Sequence, residues 1–245
     1  MISWRQPPSR PALTAHDVHL WRISLSHPPF PIDLLWRQLN PKEIERAQRY
    51  HFERDRRRFV VARGMLRVIL ARYVDVAPAA IQFDYSEHGK PSTPVRPELA
   101  FNASDSGEWM ALGVTLHRRI GVDIEQVREE VATMEIAHRF FSPREAATLQ
   151  KLPPHAQTPA FFRCWTRKEA FIKAIGEGLS YPLHQFDVTL RPDEPARLVY
   201  VQGEPEAVER WWMMDFPVAE GYAGAVIVEK PEGPVTYWAW GGAQA

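Results

Sequence analysis

The 245-residue chain has a single cysteine, Cys164, so no disulfide can form within it and the fold must rest on a packed core. One thiol fits a reducing compartment, and the first residues, MISWRQPPSRPALTAHDV, lack the apolar stretch of a secretory leader; both point to a cytoplasmic protein. No apolar run approaches the ~18 residues needed to span a bilayer, so no membrane role is expected. An excess of either charge is also missing. The 30 basic and 30 acidic residues cancel, which argues against a general affinity for nucleic acid. Neither a GxxxxGK[ST] nor a GxGxxG loop is present, which weighs against ordinary kinases and NAD enzymes. The nine histidines form no HxxxH or HExxH pattern that would seat a transition metal.

Proline, by contrast, is plentiful at 22 residues, and it predicts many loops and sharply ended elements. Helices are expected over 41–50, 55–74, 132–140, just after Ser142-Pro143, and over 158–176, where apolar residues recur at helical spacing. Strands are expected over 18–24, 81–85, 99–103, 109–116, 119–127, 186–190, 198–202, 211–216, 222–229 and 235–240. Helices then strands, followed by helices then strands again, give an α+β protein of two similar halves, 1–117 and 118–245, although no residue-level repeat is evident. A cleft between such halves is a natural place for a ligand.

Three stretches carry chemistry. The helix over 55–74 bears Arg56, Arg57, Arg58, Arg63, Arg67 and Arg72, either a solvated face or a cradle for phosphates. In GVDIE, residues 121–125, strand alternation turns Asp123 and Glu125 to one face and Val122 and Ile124 to the core. Two adjacent carboxylates repel unless a cation lies between them, and oxygen donors in this number suit Mg²⁺; the alternative is an exposed acidic strand. In FFRCWTRKEAFIKAIGEG, residues 161–178, Glu169 and Lys173 share a helix face, as a surface ion pair or as a third carboxylate beside a lysine. Cys164, next to Trp165 on that helix, reads as core.

Gly121-Val122-Asp123-Ile124-Glu125, followed about forty residues later by Trp165-Thr166-Arg167-Lys168-Glu169-Ala170-Phe171-Ile172-Lys173, resembles the signature pair of the 4′-phosphopantetheinyl transferases. The likeness is to the larger, surfactin-synthetase-activating type rather than to the short acyl-carrier-protein synthases. Arg139-Phe140-Phe141-Ser142, Gly89-Lys90-Pro91 and Phe101-Asn102-Ala103-Ser104 extend it over about residues 40–190. The resemblance implies a monomeric pseudo-dimer with coenzyme A between its halves. It implies Mg²⁺-dependent transfer of phosphopantetheine to a serine of an apo acyl or peptidyl carrier protein, releasing 3′,5′-ADP. Asp123, Glu125 and Glu169 would hold the metal. Glu169 would accept the serine proton, directly or through a water, and Lys173 would assist the leaving group. Arg46, Arg63, Lys90, Ser104 and Lys168 would contact coenzyme A. Asp105 stands where many relatives have a histidine, and it is expected to orient an arginine of the 56–58 run; Glu43 stands where some have a basic residue. A hydrolase of coenzyme A-like diphosphates and a non-catalytic module that only binds carrier proteins are the rival readings.

Overall fold

The computed structural model describes residues 2–240. Its first half runs β1 (Val18–Ser24), α1 (Ile32–Trp36), α2 (Pro41–Gln48), α3 (Glu53–Val74), the two-residue strands β2 (Asp84–Tyr85) and β3 (Pro91–Ser92), then β4 (Leu99–Ser106) and β5 (Trp109–Leu116). The second runs β6 (Ile120–Gln126), α4 (Met134–Phe140), α5 (Pro143–Gln150), α6 (Pro154–Ile175), β7 (Phe186–Val188) and β8 (Leu198–Val201). It closes with α7 (Ala207–Arg210), β9 (Trp211–Asp215), β10 (Tyr222–Glu229) and β11 (Val235–Ala239).

The two halves begin their helices with the same chemistry. Asn40-Pro41-Lys42-Glu43 opens α2 and Ser142-Pro143-Arg144-Glu145 opens α5. Asn40 Oδ1 accepts from the Glu43 amide at 2.9 Å and Ser142 Oγ from the Glu145 amide at 3.2 Å. Each glutamate returns a bond to the capping residue's amide, at 3.0 and 2.9 Å, so two orphan donors are satisfied at each helix start. Both glutamates are buried, and each also accepts from a cation on the 22-residue helix that follows. Arg67 Nε lies 2.6 Å from Glu43 Oε2, and Lys168 Nζ lies 2.8 Å from Glu145 Oε2. The strand orders β1-β5-β4 and β6-β10-β9 match as well. The halves therefore follow one plan, a strand, a capped helix, a long helix and a hairpin. The repeat escapes the sequence because it is confined to a four-residue cap and one cation about a hundred residues apart.

The last strand crosses over. β11 pairs in parallel with β1, from Val18 opposite Val235 onward, making the first sheet β11-β1-β5-β4. A cut after residue 117 thus separates the two plans but leaves β11 hydrogen-bonded to the first. Val18, Leu20 and Ala111 of that sheet pack on Val122, Ile124 and Val226 of the other, an aliphatic layer between them. α3 buries Val61, Met65 and Ile69 in the core of the first half, and α6 buries Phe161, Cys164 and Phe171 in that of the second. Burial also pushes the Cys164 thiol up, so it is a core residue and not a thiolate.

The short elements α1, β3 and α7 were not expected from the sequence, and two other elements have clearly shifted starts. The strand over 81–85 shrinks to Asp84–Tyr85, because Ile81 turns inward to the core at the end of a short 3₁₀ turn. α6 begins at Pro154, before the expected 158, because Pro159 near its free end removes one backbone bond without breaking the helix.

Candidate active site

α6 lies against β6 more closely than any side chain on Gly121 would allow. A Cβ there would sit 1.9 Å from the Ala170 carbonyl oxygen and 2.5 Å from the Ala174 nitrogen. The glycine of GVDIE is thus a packing requirement, and the helix it admits carries Glu169 and Lys173 to the strand that carries Asp123 and Glu125. Val122 and Ile124, on the other face, fill the layer between the sheets.

β4 meets β6 from the first half without sharing a backbone ladder. Its alternate side chains make the seam instead: Asn102 Oδ1 accepts from the Val122 amide at 2.8 Å, Ser104 Oγ donates to Asp123 Oδ1 at 2.8 Å, and Ser106 Oγ donates to Glu125 Oε2 at 2.6 Å. The period-two pattern Asn-x-Ser-x-Ser is the signal in the sequence that would have named Asn102 and Ser106 beside Ser104.

Lys173 Nζ completes the centre, donating to Asp123 Oδ1 at 2.6 Å and to Ser104 Oγ at 2.9 Å. Burial drives the Asp123 carboxyl up, with Lys173 and Ser104 opposing it. Burial likewise raises Glu125 against the bond from Ser106. Glu169 is pushed up to about 7 by burial and then by the negative charge of Asp123, with Lys173 opposing. For Lys173 burial pulls downward, but the attraction of Asp123 outweighs it and the ammonium is held above its usual range.

Asp123 Oδ2 and Glu169 Oε1 are buried with no hydrogen-bond partner. Among the described residues no three His, Cys, Asp or Glu side chains are already drawn around one point. The donor set nonetheless suits a hard divalent cation, since two orphaned carboxylate oxygens with Glu125 alongside are what such an ion satisfies.

A second cluster sits on the α3 side of β4, in a cavity of about 430 Å³ that gathers Arg46, Arg58, Arg63 and Asp105 with the rings of Tyr50 and Phe59. Arg46 lies over the Phe59 ring at 5.2 Å. Arg63 donates to Glu43 Oε1 at 3.0 and 2.8 Å and to the Tyr85 hydroxyl at 2.9 Å. Asp105 Oδ2 lies 3.7 Å from Arg58. Arg46, Arg63 and Asp105 therefore come together, while Ser104, one residue before Asp105 on β4, belongs to the carboxylate centre.

Two expected coenzyme contacts lie elsewhere. Lys90 Nζ donates to the carbonyls of Lys173, Ala174 and Ile120 at 2.6, 2.9 and 3.1 Å, so it closes the C-terminal end of α6 against β6, and burial lowers its pKa to about 8. Lys168 is fully buried, with its ammonium held by Glu145 and by the carbonyls of Leu183 and Phe186 at 2.8 and 2.5 Å. A group enclosed in this way cannot reach a bound nucleotide. Lys168 is the counterpart of Arg67 in the repeated plan, and its place is structural.

Fold and site together define a two-half α+β enzyme with an acidic centre at the seam. The sequence model of the 4′-phosphopantetheinyl transferase superfamily matches residues 119–227, and that of the N-terminal part of 4′-phosphopantetheinyl transferases matches 29–117. The chain is 36% identical over 229 residues to the 4′-phosphopantetheinyl transferase HetI of Nostoc, covering 92% of this chain and 93% of the relative. It is 32% identical over 196 residues to the 4′-phosphopantetheinyl transferase Sfp of Bacillus subtilis, covering 80% and 84%. Among solved structures, the holo-[acyl-carrier-protein] synthase of Thermotoga maritima overlays 47% of this chain at a TM-score of 0.36 and 20% identity, a likeness too loose to inform the site. The chain belongs to the 4′-phosphopantetheinyl transferases. No helix among the described residues is long and apolar enough to cross a membrane.

Proposed function

We propose that the protein transfers 4′-phosphopantetheine from coenzyme A to a serine of an apo acyl or peptidyl carrier protein, with Mg²⁺ held by Asp123, Glu125 and Glu169. The observation that carries this reading is the pair of buried, unpartnered oxygens, Asp123 Oδ2 and Glu169 Oε1, beside Lys173. Mg²⁺ would supply neutralisation of the charge that gathers on the diphosphate oxygens. The serine oxygen bonds to the phosphorus that bears pantetheine, and the bond from that phosphorus to the nucleotide's phosphate oxygen breaks, releasing 3′,5′-ADP. Glu169 takes the serine proton, directly or through a water. Lys173, positioned by Asp123 and Ser104, stabilises the leaving phosphate. Arg46 and Arg63 face the remaining anionic part of the coenzyme, while Lys90 acts by fixing the end of α6 that carries Lys173. The first half, 1–117, supplies the nucleotide contacts and the second, 118–245, the metal and catalytic groups. One chain supplies both halves of the site, which supports action as a monomer, and a cytoplasmic location belongs to the same proposal.

Intact-protein mass spectrometry of an apo carrier protein with coenzyme A, in Mg²⁺ and in EDTA, tests the reading. The expected result is a phosphopantetheine mass increase in the Mg²⁺ tube alone. Nucleotide release without carrier modification would identify a hydrolase, and coenzyme binding with neither product would identify a binding module.

A further inference from the structure

The arginine cavity carries an inference about which coenzyme is used, and it rests on the transferase reading above. β4 turns Ser104 to the carboxylate centre and Asp105 to the cavity, so the two sites are separated by the width of one strand. If the diphosphate lies at the carboxylates, the phosphate monoester on the ribose of coenzyme A is the anion left to face the arginines.

Two of the three arginines that line the cavity already have an acidic partner. Three guanidiniums line the cavity, Arg46, Arg58 and Arg63, and so do two carboxylates, Asp55 and Asp105, leaving a formal charge of three minus two, or +1. Arg63 is further tied through two nitrogens to Glu43, which also takes the buried Arg67. Asp105 lies against Arg58 at 3.7 Å and is half exposed to the cavity. Arg46, stacked on Phe59, is the only one of the three lining arginines with no acidic partner among the described residues. A phosphate monoester carries roughly −1.5 to −2 at neutral pH. The Asp105 carboxylate in the same small cavity opposes it, and Arg58 beside that carboxylate is already engaged.

We propose that Asp105 sets the coenzyme specificity of this protein: by engaging Arg58 and repelling a ribose phosphate, it lets 3′-dephospho-coenzyme A serve as donor nearly as well as coenzyme A. The class of substrate is then a pantetheine diphosphate nucleotide with or without its ribose phosphate. The chemistry balances in either case, since the bond formed and the bond broken lie at the diphosphate, and 5′-AMP leaves in place of 3′,5′-ADP.

The test is kcat/KM for carrier-protein modification with each coenzyme, in the wild type, D105N and D105S. The wild-type ratio of coenzyme A to the dephospho form is expected within about fivefold, and D105N should raise that ratio about tenfold through KM, by releasing Arg58 for the phosphate. A wild-type preference for coenzyme A beyond about fivefold, or a ratio that neither variant moves by at least about threefold, overturns the proposal. Calorimetric titration with the two coenzymes gives a readout independent of turnover, in which the ratio of dissociation constants should move the same way. Transfer from neither coenzyme to any carrier would refute the transferase reading itself, and so is distinguishable from a failure at Asp105.

Discussion

Asp123 Oδ1 accepts a 2.6 Å bond from Lys173 Nζ across the interface between β6 and α6, while the other oxygen of the same carboxylate has no partner. One oxygen holds the lysine and the other is free, as the proposed cation site requires. The first half lacks this arrangement. Trp21 holds in β1 the position that Asp123 holds in β6, and its indole donates to the Tyr73 hydroxyl at 2.9 Å within a cluster of aromatic rings. Of the two equivalent positions, one is filled with rings and one with a buried carboxylate.

Lys173→Ala should lower kcat for carrier modification by about a hundredfold or more with a much smaller change in KM for coenzyme A, because the ammonium is expected to act on the leaving group. Steady-state kinetics check it, and an equal loss in KM would reassign Lys173 to binding. In a stability cycle with Asp123→Asn, the double variant should be less damaged than the sum of the singles by more than ~1 kcal/mol, since each single leaves one buried charge unpaired.

Gly121→Ala should be among the most damaging single-methyl changes in the chain. The added Cβ would meet the backbone of α6, not a flexible side chain, so relief requires the helix to move. A loss of roughly 1–3 kcal/mol or more is expected by chemical denaturation, with transfer activity abolished even in the folded fraction because Glu169 and Lys173 move with the helix. Near-normal activity would show that the catalytic centre does not depend on this contact.

Lys168→Met separates packing from binding. Glu145 would lose its cation in a buried setting, so a loss of about 3–5 kcal/mol is expected, while the folded enzyme keeps its KM for coenzyme A. A raised KM with unchanged stability would return Lys168 to the ligand. Glu145→Gln combined with Lys168→Met should recover part of the loss, because no charge is then left alone.

The sequence made the parts of this site legible and left their partners hidden. Alternation in GVDIE and the four-residue spacing of Glu169 and Lys173 placed each pair on one face of its own element, because those periodicities are local, and only the resemblance brought the two faces together. Lys168 looked as available as its neighbour, for one step along a helix turns a side chain by about 100°, and only the fold shows that this turn takes it into the core. The partners of Lys90 were hidden for a related reason: the carbonyls it closes lie about eighty residues away, on an element whose end no local pattern connects to the Gly89-Lys90-Pro91 loop. Asn102 and Ser106 were missed because bonding between unpaired strands leaves no mark beyond a short polar alternation.

The Glu169 carboxyl makes the metal-free protein pH-sensitive in an unusual direction. Burial and the charge of Asp123 hold its proton up to about 7, whereas in the unfolded chain it titrates near the ordinary glutamate value of 4.5. Between those values the folded state binds more protons than the unfolded state, so this group lowers stability as pH rises through the window, by at most ~3 kcal/mol above 7. Glu169→Gln removes the titration and leaves the other groups in place. In EDTA, the Tm of the variant should therefore exceed that of the wild type by a margin that grows from about pH 5 to about pH 8. On the proposed function Mg²⁺ would bind the ionised carboxylate, so it should raise the wild-type Tm at the upper end of that range and raise the variant's less. Differential scanning calorimetry across the range reads both effects. Parallel pH profiles in EDTA would mean that Glu169 is ionised without a cation, and that burial and Asp123 do not hold its proton.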